Sequence, residues 1–214
     1  MKTFLLAFLL ALPLAAGAHQ PRLVETETID VIDPEVSKAY YGRLDGGPHA
    51  YRISSDAPFR LYVNLLIPDA PGAEKSVSAA VIDVDAPDEP LAVLGGPLAA
   101  WEPFYEEYAG DDYFRAEEYV KEDAVGTYEV RVWSTNDQGA YSLAIGEKEE
   151  FPPGEIANAI VTLPKIKSSI FGKPWYEAFL SKFVLPLVIA AAVLVAGAVA
   201  GTVIFLKRRK ARKA

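Results

Sequence analysis

Residues 126–145 read GTYEVRVWSTNDQGAYSLAI, and their alternation decides the fold class. Tyr128, Val130 and Val132 alternate with Glu129 and Arg131, and Tyr141, Leu143 and Ile145 alternate with Ser142 and Ala144. A period of two puts each apolar trio on one face of a half-buried strand. The polar stretch 134–139 between them predicts a turn, so the pair is expected to form a hairpin whose trios face inward together.

Upstream, the same alternation runs through 59–67, with Phe59, Leu61, Val63, Leu65 and Ile67 on one face. Strands are also expected at 77–84 and 91–94, separated by the breaker DAPDEP at 85–90. Residues 40–44 and 50–53 flank Asp45-Gly46-Gly47-Pro48 and predict a second hairpin. An opening strand is expected over 23–32. Residues 101–123 mix aromatic and acidic side chains without a clean period, and predict a long excursion holding one short strand. Six to eight short strands without a long helix among them imply an all-β antiparallel sandwich.

Gly126-Thr127-Tyr128 opening one strand, with Gly139, Tyr141 and Leu143 alternating in its partner, resembles the closing hairpin of the bacterial pre-peptidase C-terminal domains. The resemblance extends to Tyr41, Gly42 and Leu44 and to Tyr51, Arg52 and Ile53, covering 40–146. It implies a small jelly-roll-like sandwich serving as a non-catalytic accessory or binding module, in some members with calcium. The segment 101–123 departs from the family pattern.

Downstream, residues 183–206 carry no charged side chain and as a helix would span about 36 Å, enough to cross a bilayer core of about 30 Å. Lys207, Arg208, Arg209, Lys210, Arg212 and Lys213 follow at once, which predicts a cytoplasmic tail at 207–214 and an ectodomain outside the cell membrane. Lys2, the apolar run 4–14 and Ala16-Gly17-Ala18 predict a signal peptide over 1–18, so the mature chain would begin at His19. Between the ectodomain, 19–151, and the membrane, 152–182 reads as a stem. In it Ile156, Ala159, Ile160 and Leu163 predict an amphipathic helix over 155–163 ended by Pro164, and Trp175, Tyr176 and Phe179 an aromatic belt.

Residues 19–164 hold 28 acidic against 10 basic side chains, a net charge near −18 that the overall −8 conceals. Such a surface repels nucleic acid and anionic lipid and attracts cations. Cysteine is absent. An enzyme of the serine–histidine or cysteine–histidine kind needs a positioned base, and only His19 and His49 are available, so a non-enzymatic role is expected.

The remaining candidates are binding sites. Asp83, Asp85 and Asp88 at one strand end and Asp111 and Asp112 beside Gly110 offer hard oxygens suited to calcium. His19, through its α-amine and imidazole, and His49 could together hold copper, an arrangement similar to the histidine brace of copper-dependent polysaccharide monooxygenases. Trp101, Tyr105, Tyr108 and Tyr113 offer an aromatic platform for carbohydrate. Gly197 and Gly201 form a G-x-x-x-G face suited to helix dimerisation or docking on another membrane protein. The reading that follows is a membrane-anchored extracytoplasmic binding or interaction module, with a cation-handling protein as the alternative.

Overall fold

The computed structural model describes residues 19–182 and 184–211; the expected signal peptide lies outside the described residues. Nine strands form one hydrogen-bonded sheet: β1 (Gln20–Leu23), β2 (Thr28–Val31), β3 (Lys38–Asp45), β4 (His49–Pro68), β5 (Ser78–Asp83), β6 (Ala92–Gly95), β7 (Glu102–Glu106), β8 (Asp111–Trp133) and β9 (Gln138–Ile145). They are followed by helix α1 (Pro153–Ser169), a 3-10 helix at Trp175–Phe179 and helix α2 (Val184–Ala211).

Two strands are long enough to serve both layers of a sandwich. The first part of β4, His49 to Ser55, pairs with β2 and with the last part of β8, which also pairs with β5. Its second part, from Phe59, pairs with the first part of β8 and, at Val63 to Leu66, with β9. Register shifts between Ser55 and Phe59 mark the bend, as bulges do where a sheet turns a corner. The layers close on one core, into which β4 sends Tyr51, Ile53, Phe59, Leu61, Val63, Leu65 and Ile67. Tyr51 and Tyr141 meet across it with hydroxyls 2.7 Å apart.

The inward trios are buried as the alternation requires. The two expected hairpins are instead arches. β3 pairs with β1 and β9 and not with β4, and β9 pairs with β3 and β4 and not with β8, so the turns at 46–48 and 134–137 carry the chain between layers. Apolar trios that face each other across a core satisfy the same alternation as trios sharing one sheet. The excursion 101–123 is corrected more fully: most of it is β7 and the first half of β8. Its core-facing residues run Phe114, Ala116, Tyr119, Ala124 and Tyr128, changing parity twice, because bulges at Phe59/Leu61 and Asn64/Leu66 shift the pairing. The expected opening strand is two short ones, β1 and β2, each parallel to its neighbour.

The stem differs as well. α1 does not end at Pro164 but runs through it to Ser169, because Ile166, Ile170 and Phe171 pack on the outer face of the second layer against Ala39, Tyr41, Leu66, Tyr113 and Ala144. That burial offsets the backbone bond a proline removes. Of the expected apolar face, Ile156 and Ile160 are exposed and only Leu163 reaches the packed cluster. Beyond the stem, 184–209 is long and apolar enough to cross a membrane, with Pro186 in its first turn, where a missing N–H breaks no helix bond.

Candidate ligand cavity

The outer face of the second layer is only partly covered by the stem. Two rows cross it, Ala39–Ala144–Asn64 and Tyr41–Ser142–Leu66, set by the pairing of β3, β9 and β4. From Ala140 to Ala144 strand β9 contributes only small side chains to this face, since its large ones point to the core. The first row therefore lies in a depression, roofed on one side by the β7–β8 hairpin. The resulting cavity has a volume of about 460 Å³, within the roughly 300–1,000 Å³ typical of small-molecule sites.

Its walls are aromatic and polar. Phe104, Tyr105, Glu106, Glu107 and Tyr108 come from the hairpin, Tyr62 and Arg115 from the adjoining strands, and His19 from the start of β1. The Tyr62 hydroxyl donates to Glu118 at 3.0 Å; burial, then that carboxylate, push its phenol up to about 12, so it stays a neutral donor. The Arg115 guanidinium lies 4.9 Å from the Phe104 ring centre and 3.5 Å from the Glu102 carboxylate. Both Glu106 oxygens accept backbone N–H groups, from Tyr108 at 2.8 Å and Ala109 at 2.6 Å, which fixes the hairpin turn. Burial raises the Glu106 carboxyl above its ordinary range, against the pull of those amides. Burial likewise keeps His19 below the ordinary imidazole range, with Glu149 opposing, and its Nδ1 lies 2.5 Å from Ser37 Oγ. The site thus presents aromatic ring faces and the Glu106 and Glu107 carboxylates, with the Tyr62 O–H given to Glu118 in a hydrogen bond.

A charged clasp lies behind the hairpin. Asp111, 1% exposed, accepts from Lys167 at 2.7 Å and Lys173 at 2.9 Å, and Lys167, 2% exposed, also donates to the Ala109 carbonyl at 2.8 Å. The turn that roofs the cavity is thereby tied to the stem.

Three of the four platform aromatics, Tyr105, Tyr108 and Tyr113, meet at this cavity. Trp101 does not: it packs against the core and donates its indole N–H to Gly96 at 3.1 Å. The acidic candidates are dispersed. Asp83 accepts from the Asp85 amide in a tight turn, Asp88 and Asp112 are exposed, and Asp111 holds the two lysines. His49 is buried against the Tyr141 hydroxyl at 2.6 Å, whereas His19 lies against Ser37 at the cavity. Among the described residues no group of three or more histidine, aspartate and glutamate side chains is placed to hold a metal ion. Gly197 and Gly201 sit within α2, and among the described residues no side chain comes within 4 Å of where their Cβ would stand. Asn64, Ser142, Ala39 and Ala144, which make the floor, were absent from the sequence candidates; the run of small residues on the outward face of β9 was their signal.

No protein-family model and no curated protein matches the sequence. Among solved structures the chain is similar to the pre-peptidase C-terminal domain of a collagenase from Bacillus anthracis, at 11% identity and a TM-score of 0.33, over 60% of this chain and 97% of that one.

Proposed function

We propose that this chain is a membrane-anchored extracytoplasmic module that binds carbohydrate in the outer-face cavity and performs no catalysis. One observation carries the reading: a cavity floored by Ala39, Asn64, Ser142 and Ala144 and ringed by tyrosines and carboxylates, beside the place where the stem packs on the same sheet face. Sugar rings stack on aromatic faces while their hydroxyls donate to carboxylates and accept from phenols and amides. A non-catalytic role is supported by His49, whose Nδ1 lies 2.6 Å from the buried Tyr141 hydroxyl and away from the cavity. The orientation is supported by the basic cluster that follows the apolar helix.

The test is thermal unfolding of the full-length protein in detergent against a panel of neutral oligosaccharides. A ligand at 100 times its dissociation constant adds about 2.7 kcal/mol, several degrees for a domain of this size. Tyr105→Ala, which removes an exposed ring from the cavity wall, should abolish the rise. A panel in which no saccharide shifts the melting curve refutes the reading.

A further inference from the structure

The position of the cavity relative to the membrane helix narrows its ligand. Glu107, on the cavity wall, pairs with Lys182 at 2.8 Å, and Lys182 stands two residues before α2 begins at Val184. In the same turn Gly110 lies against Ser181, whose hydroxyl in turn accepts the Val184 amide at 3.2 Å. The Asp111 clasp to Lys167 and Lys173 holds this arrangement on the stem. Two residues of extended chain reach about 7 Å, and the headgroup layer of a bilayer is about as deep, so the cavity wall sits at the lipid surface. Trp175, Tyr176 and Leu180, all exposed just before the helix, are the side chains expected at that depth.

Charge then selects among membrane-borne ligands. Glu106 and Glu107 line the cavity, Glu118 adjoins it, and the ectodomain around them is strongly acidic. Arg115, the guanidinium at the cavity, is already placed over Phe104 and beside Glu102. Anionic headgroups are repelled by such a surface, while uncharged hydroxyl-rich ones are not. We infer that the cavity takes the uncharged sugar headgroup of a glycolipid presented by the same bilayer that anchors the chain. This rests on the carbohydrate reading above and adds to it the source and charge of the sugar.

The experiment places the full-length protein in phosphatidylcholine nanodiscs and follows hydrogen exchange at the Tyr108 and Ala109 amides, the two bound to Glu106. Four conditions are compared: phosphatidylcholine alone, discs doped with galactosyl and glucosyl diacylglycerol, discs doped with phosphatidylglycerol, and plain discs with soluble methyl galactoside and methyl glucoside at matched sugar concentration. Glycolipid at about ten times its dissociation constant should slow exchange at these amides about tenfold, with less than about twofold slowing by the soluble glycosides at that concentration, and none in plain discs, with phosphatidylglycerol, or in Tyr105→Ala. Equal slowing by soluble glycosides overturns membrane presentation while leaving carbohydrate binding in place. Equal slowing by phosphatidylglycerol overturns the charge argument. Absence of slowing under every condition overturns both this inference and the carbohydrate reading.

Discussion

Asp111→Ala is the most informative single perturbation of the stem. Both oxygens of this carboxylate are used, one by Lys167 and one by Lys173, and its side chain is 2% exposed. Deleting it leaves the Lys173 ammonium, 30% exposed, free to turn toward water. Lys167 cannot do so: it is sealed beneath the hairpin with one neutral acceptor, the Ala109 carbonyl. Removing one partner of such a buried pair costs about 3–5 kcal/mol, because the other charge stays desolvated. For a domain of this size, at roughly 2–4 °C per kcal/mol, the melting temperature should fall by about 6–20 °C. Glu107→Gln is the control, since Glu107 and Lys182 are 56% and 54% exposed and an exposed pair contributes about 1 kcal/mol or less. The double variant Asp111→Leu with Lys167→Leu should recover most of the loss, as an apolar pair of similar volume avoids both desolvation penalties. Melts of the full-length protein in detergent, followed by far-ultraviolet circular dichroism, make the comparison. If Asp111→Ala melts within about 2 °C of the parent, the clasp does not join hairpin to stem as described.

Three further outcomes are expected. Burial holds the His49 imidazole below its ordinary range, against the opposing Glu27 carboxylate, so the unfolded chain takes up the proton first. Its contribution is present above about pH 6.5 and is lost as pH falls below that, by up to about 1.4 kcal/mol per unit. His49→Gln should lose the Tyr141 contact at every pH, yet the parent's advantage in urea midpoint should shrink between about pH 7 and 5; a constant gap contradicts the burial argument. Gly42→Ala would set its Cβ 2.4 Å from the Tyr141 ring and hydroxyl and should cost about 1–3 kcal/mol, so unchanged denaturant midpoints would contradict the packing of that ring. Finally, a protease site engineered into the turn at 45–48 should be cut by protease added to intact spheroplasts; cleavage only after lysis would reverse the orientation.

Alternation in 59–67, 126–133 and 140–145 correctly identified the core-facing residues of each strand, but not that the outward residues Asn64, Leu66, Ser142 and Ala144 are buried as well, on the face where the stem and the β7–β8 hairpin pack. It carried no information on which strand lies beside which. Tyr128, Val130 and Val132 face Tyr141, Leu143 and Ile145 inward whether the intervening loop closes a hairpin or arches between layers. That loop is tied off locally, with Ser134 Oγ donating to the Gln138 carbonyl at 2.7 Å, so its polar composition suits either role. In β8 even the burial signal was scrambled, since the bulges at Phe59/Leu61 and Asn64/Leu66 in its pairing with β4 each reverse the parity of the following residues. Pro164 misled for a related reason: a local rule about helix interiors was overridden by Ile166, Ile170 and Phe171 packing two turns later.

The site was legible where chemistry depends on residue type and illegible where it depends on space. Tyrosines among acids in 101–123 flagged three of the aromatics that meet at the cavity, because rings and carboxylates keep their character wherever they lie. The cavity itself exists through what Ala39, Ser142 and Ala144 lack, and small residues on an outward strand face look the same whether they sit under solvent, under a helix or under a ligand. Asp111 shows the converse. An aspartate beside a glycine in an acidic segment suits a calcium loop in composition, but its partners Lys167 and Lys173 lie more than fifty residues away. Nothing local distinguishes a carboxylate awaiting a metal ion from one already satisfied by two ammonium groups. The difference is made by α1 continuing past Pro164, since a helix ended there would not have carried Lys167 beneath the hairpin. The continuation that buries Ile166 and Ile170 thus also determines what the acidic segment binds, so packing and electrostatics in this stem have to be read together.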